Sequence, residues 1–141
     1  MGSLTFVRRS RGCWRNGPGA DMTATRLHLV LAGLFGVCGV ALLAAGAHLA
    51  GSNASTAGLM LVLHASAVIA LTAARRSGLV GNASARVGVS LILVGVALFS
   101  ADLAVRAFDA GRLFAFAAPI GGSLTIAGWL VVSLAAAIKR D

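Results

Sequence analysis

Apolar residues fall along this chain in four long runs, separated by short stretches where charged and turn-forming residues gather. The runs cover about residues 27–49, 57–74, 87–106 and 119–138. Each is close to the roughly 20 residues, about 30 Å of helix, that a hydrocarbon core demands. The last run, PIGGSLTIAGWLVVSLAAAI, holds no charge over its twenty residues. It opens on Pro119, whose missing N–H would be unpaired in a first helical turn anyway. The pattern predicts an all-α protein, an integral membrane four-helix bundle over residues 26–141. Residues 1–25 read as a basic, disordered tail, since Arg8, Arg9, Arg11 and Arg15 are mixed with Gly, Ser and Pro and show no helical period. A signal peptide is disfavoured, because the basic region is long and no small-residue cleavage site follows a short apolar run. A transit peptide stays open, the tail being Arg-rich and nearly free of acid. Met22, just ahead of the first run, is an alternative translational start, which would leave residues 1–21 untranslated.

Composition adds orientation to this picture. Of 141 residues 58% are hydrophobic and 11% charged, less than half the roughly 25% charge of a soluble domain. A net charge of +8 would in a soluble protein raise the question of nucleic acid. Here the arginines flank apolar runs, so the partner is the lipid bilayer and no nucleic acid is expected. The tail with Arg26, the second connection (Arg75, Arg76, Arg86) and the C-terminus (Lys139, Arg140) hold ten of the twelve basic residues. The positive-inside rule therefore puts both termini in the cytoplasm and the protein, multi-pass, in the plasma (inner) membrane. Cys13 and Cys38 differ too much in setting to form a structural disulfide, and they show no metal spacing.

Small and polar residues inside the runs are the candidates for packing and chemistry. Ala32, Gly36, Gly39 and Gly46 form a small-residue stripe on the first run, and Gly88 and Gly95 one on the third, in line with Asp102. With Gly128 they predict close helix packing. Trp129 lies mid-span, where its N–H needs a partner in the bundle. His48 closes the first run and His64 lies roughly 10 Å inside the second. Asp102 has Arg106 one turn beyond it. The first and third runs lead outward and the fourth begins outside. The expectation is a shallow polar pocket, open to the non-cytoplasmic face and walled by His48, His64, Ser100, Asp102, Pro119, Gly121 and Gly122. The plainer alternative is that these groups satisfy one another where helix ends meet, with Asp102 and Arg106 a snorkelled pair.

Five short motifs, in this order, carry a family resemblance: Gly46-Ala47-His48, His64-Ala65, Leu98-Phe99-Ser100, Pro119-Ile120-Gly121-Gly122 and Gly128-Trp129. The chain resembles the small four-span membrane proteins of domain-of-unknown-function family 423, which include transmembrane protein 256, over about residues 26–138. Two features depart from the family pattern: a short interval between His48 and His64, and the charged pair Asp102 and Arg106 where neutral residues are usual. The resemblance implies the four-span fold and no activity, so no catalytic residue carries over.

Several functions are excluded by what the runs lack. A small multidrug transporter needs a carboxylate in its first span, and there is none. The HExxH motif, a Ser/His/Asp set and a Gly-rich phosphate loop are absent. Haem between His48 and His64 would need both at one height. The expectation is therefore a protein that is not an enzyme, with no cofactor and no metal, acting as a structural or accessory membrane component. It would pack as a homo-oligomer or within a larger complex. The alternative is permeation or transport of a small solute or proton through His64 and Asp102.

Overall fold

The computed structural model describes residues 18–109 and 111–138, with backbone alone at 18–20 and 49–50. Residues 1–17, with Cys13 and the tail arginines, and residues 139–141 lie outside that range. The described chain forms α1 (Pro18–Ala45), a π-helical turn (Gly46–Ala50), α2 (Gly51–Arg76), α3 (Asn82–Ala107) and α4 (Ala117–Ile138). All four helices are long and apolar enough to cross a membrane. The molecule is a multi-pass membrane four-helix bundle.

The helices outrun the apolar runs, and the reason is local. Residues 18–25 are helical where the composition had placed a tail, with Asp21 in the first turn, where the positive end of the helix dipole favours an acid. Residues 51–56 are likewise helical and not loop. Ser, Asn and Thr serve a helix N-terminus as readily as a turn, because they can meet its unpaired N–H groups. The reversal is made by the wide π turn and by Gly51, whose φ of +66° a residue with a side chain adopts only under strain. Residues 77–81 form the second connection, closed onto α2 by the Leu79 N–H donating to the Ala74 carbonyl at 3.1 Å.

Helices adjacent in sequence are adjacent in space. α1 packs on α2, α2 on α3 and α3 on α4, while α1 meets α3 only lightly. α3 is the central element, and Val89, Ile92, Leu93 and Val96 from it form the core with Ala32, Leu61, Val68 and Val132. Water cannot drive helices together inside a bilayer, so close approach through small residues takes over. A methyl group on Gly88 would stand 3.0 Å from the Gly128 carbonyl oxygen, and one on Gly95 2.6 Å from the Thr125 nitrogen. A methyl on Gly58 would stand 2.7 Å from the Gly39 carbonyl oxygen, which makes those two glycines the seam between α1 and α2. Gly36 shares the stripe on α1 but not the seam: among the described residues nothing lies within 4 Å of where its Cβ would be.

Candidate functional site

Polar residues concentrate at both ends of the bundle. At the end where α3 leads to α4, Asp102 is completely buried. One carboxylate oxygen pairs with Arg106, one turn along the same helix, and the other accepts the Leu113 N–H at 3.0 Å. The carboxylate thereby clamps the 108–116 connection onto α3. Ser100 is buried nearby in sequence, and its hydroxyl has no hydrogen-bond partner among the described residues. Pro119 is exposed in the first turn of α4, Gly121 abuts the Phe99 backbone and Gly122 faces open space. His48 is exposed in the π turn.

His64 has a different setting. Because α2 starts at Gly51, His64 lies thirteen residues along it, about 20 Å from that end and deeper than the apolar run had implied. Its Nδ1–H donates to the Met60 carbonyl at 2.8 Å, leaving Nε2 to accept the Trp129 indole N–H across a long 3.5 Å. The two rings are tilted by 59° with centroids 6.3 Å apart. Trp129 of α4 therefore finds its partner in His64 of α2. Among the described residues no hydrogen bond joins His48, His64 and Asp102 to one another.

The Arg-rich end carries a larger constellation that sequence reasoning did not single out. Arg75, in the last turn of α2, is only 3% exposed. Its two terminal nitrogens donate to Asn82 Oδ1 at 3.0 Å and Thr25 Oγ1 at 2.7 Å. Asn82 passes the chain on, its amide donating to Asp21 Oδ2 at 3.0 Å, and the other Asp21 oxygen takes Arg86 at 3.4 Å. His28, 4% exposed, bonds through Nε2 to Ser90 Oγ at 3.1 Å. These contacts tie α1 (Asp21, Thr25, His28), α2 (Arg75) and α3 (Asn82, Arg86, Ser90) together. The signal was in the spacing: Asp21, Thr25 and His28 fall at i, i+4 and i+7, and Asn82, Arg86 and Ser90 at i, i+4 and i+8, each set on one helical face. The positive-inside pattern accounts for Arg75 and Arg86 as topological charges, and so does not reveal that face. Among the described residues no group of three His, Cys, Asp or Glu side chains is placed to hold a metal.

Glycine seams along the spans and polar ties at both ends define a small four-span membrane protein. Over residues 42–122 the sequence matches the model of a family described as "Protein of unknown function (DUF423)", and the chain belongs to that family. It is also 40% identical over 62 residues to a UPF0382 membrane protein of Haemophilus influenzae, the match taking in 44% of this chain and 50% of the relative. The chain thus spans about half the length of the curated relative it matches. No solved structure matches it. The family match takes in His48, His64, Arg75, Asn82, Arg86 and Asp102, while Asp21, Thr25, His28 and Trp129 fall outside it.

Proposed function

We propose that this protein is a non-enzymatic structural or accessory component of the plasma (inner) membrane, with both termini cytoplasmic, that assembles with itself or within a larger membrane complex. One observation carries the reading: ionisable side chains inside the spans are engaged in holding helix to helix or helix to connection. Arg75 joins three helices, Asp102 holds the 108–116 connection and His64 meets Trp129. Permeation would need His64 and Asp102 to share a water-accessible path, and their separate engagements speak for the structural role. Assembly is supported by α1, whose span is the least buried of the four and presents Gly33 and Gly36 beside exposed Leu34, Val37 and Val40. Such a small-residue surface lets another helix approach closely.

The test is purification of the full chain from native membranes in mild detergent, followed by measurement of the mass of the particle. A homo-oligomer or a stoichiometric protein partner is the expected result. A monomer without a partner, together with solute or proton flux into liposomes that stops in Asp102→Asn or His64→Ala, would replace this reading with permeation.

A further inference from the structure

We infer that the Arg-rich end of the bundle contains a binding site for a small monovalent anion of the halide class, formed between α1 and α2 by His28, Thr72 and Arg75. Arg75 reaches Thr25 across the seam between these antiparallel helices. Thr72 lies one turn from Arg75 toward the middle of α2, and His28 lies one turn from Thr25 toward the middle of α1. The two therefore stand opposite each other one turn deeper in the same seam. The register continues to Gly58 against Gly39 and to Gly46 against Ser55. His28, Thr72 and Arg75 are 4%, 2% and 3% exposed, and each carries a polar atom without a hydrogen-bond partner among the described residues: Nδ1, Oγ1 and Nε. Three orphaned polar atoms on one short stretch of one seam are unusual, because a buried donor left unpaired costs about 1–3 kcal/mol.

The chemistry of the three atoms selects the ligand. Arg75 Nε–H can only donate, and the Thr72 hydroxyl can donate. His28 Nδ1 donates when the Ser90 hydroxyl gives its proton to Nε2, an arrangement the 3.1 Å contact allows. Charge decides between water and an anion. The direct partners of the buried Arg75 guanidinium, Asn82 and Thr25, are both neutral, and the Asp21 oxygens bond Arg86 and Asn82 instead. A buried cation without a countercharge in contact is strongly disfavoured. Water would satisfy the donors and leave the charge as it is. A halide can accept from these donors and supplies in contact a negative charge that neither direct partner of Arg75 carries. The near-complete burial of the three side chains favours a dehydrated monatomic ion over an oxyanion with its larger shell.

The experiment is thermal unfolding of the full-length protein in detergent, in sodium chloride or bromide against sodium gluconate at equal ionic strength. The midpoint should rise with halide concentration and saturate, while gluconate gives no such rise. Thr72→Val removes one donor and leaves the bonds of Arg75 to Thr25 and Asn82 in place, so it should weaken the halide dependence at least tenfold. His28→Asn is the second variant, and should weaken it similarly if Thr72→Val does not fold. Chlorine-35 NMR line broadening by the wild-type protein, reduced in the variants, reads the same site without unfolding. Equal midpoints in chloride and gluconate would overturn the proposal, as would a halide effect left unchanged in either variant. These readouts report binding and are independent of whether the protein assembles.

Discussion

Asp102 and Arg75 are acidic and basic side chains buried near opposite ends of the bundle; Asp102 meets Arg106 and the Leu113 backbone, whereas Arg75 meets the neutral Asn82 and Thr25. Asp102→Ala removes the acceptor for the Leu113 N–H and leaves Arg106 without its partner. The expected loss is about 1–3 kcal/mol of stability, with faster amide exchange through residues 108–116. Asp102→Asn keeps an acceptor oxygen and should retain most of the protection. Hydrogen exchange read by mass spectrometry decides it: unaltered protection of Leu113 in the alanine variant would mean the connection is held by something else. For Arg75 the conservative replacement is the informative one. Lysine carries the charge but lacks the planar fork that reaches Asn82 and Thr25 together, so Arg75→Lys should lower the melting temperature nearly as much as Arg75→Gln. A wild-type melting curve for the lysine variant would show that charge alone suffices there. Asp102 and His64 stood out in the sequence because an ionisable group in an apolar run is conspicuous. Arg75 did not, because arginine at a span's end has an ordinary topological explanation. Only the packing of α1 and α3 around it turns a boundary charge into a buried one.

Helix packing divides the glycines into two kinds, and substitution should separate them sharply. Gly95→Val forces side-chain atoms into the Thr125 backbone, where even one methyl would be 2.6 Å from the nitrogen. Overpacking of this kind costs about 1–3 kcal/mol, and the purified protein should unfold at a clearly lower temperature. Gly36→Ala meets no neighbour within 4 Å among the described residues. It should leave the unfolding temperature of the monomer unchanged or slightly raised, since alanine is the better helix former. A large loss in Gly36→Ala under conditions that keep the protein monomeric would contradict the placement of α1. The four spans themselves were legible because hydropathy and length alone specify a membrane helix. Their ends were not: residues 18–25 and 51–56 look like tail and loop by composition, yet polar residues also suit a helix's first turn. Which side of α1 faces α2 was also beyond the sequence, since Ala32, Gly36 and Gly39 belong to one stripe and only part of it lies in the seam.

For the whole molecule, the distribution of arginine sets a testable orientation. In a chain whose Cys13 and Cys38 have been replaced, a cysteine at exposed Ser77 should react with a membrane-impermeant maleimide only from the cytoplasmic side. One at exposed Ser52 should react only from the other side. The reverse labelling would overturn the orientation argument and, with it, the assignment of the Arg75 cluster to the inner surface. The serial order of packing described above has a consequence for biogenesis. The extensive helix packing joins segments that leave the ribosome one after the other, so little chain entropy is lost in bringing those pairs together. α1 and α2 close as a hairpin at Gly51, and α3 and α4 as a second one fastened by Asp102. Arg75 then staples the two hairpins to each other through Asn82, at the start of the second. The molecule can thus mature in the order in which it is synthesised, with no late helix having to be threaded between earlier ones.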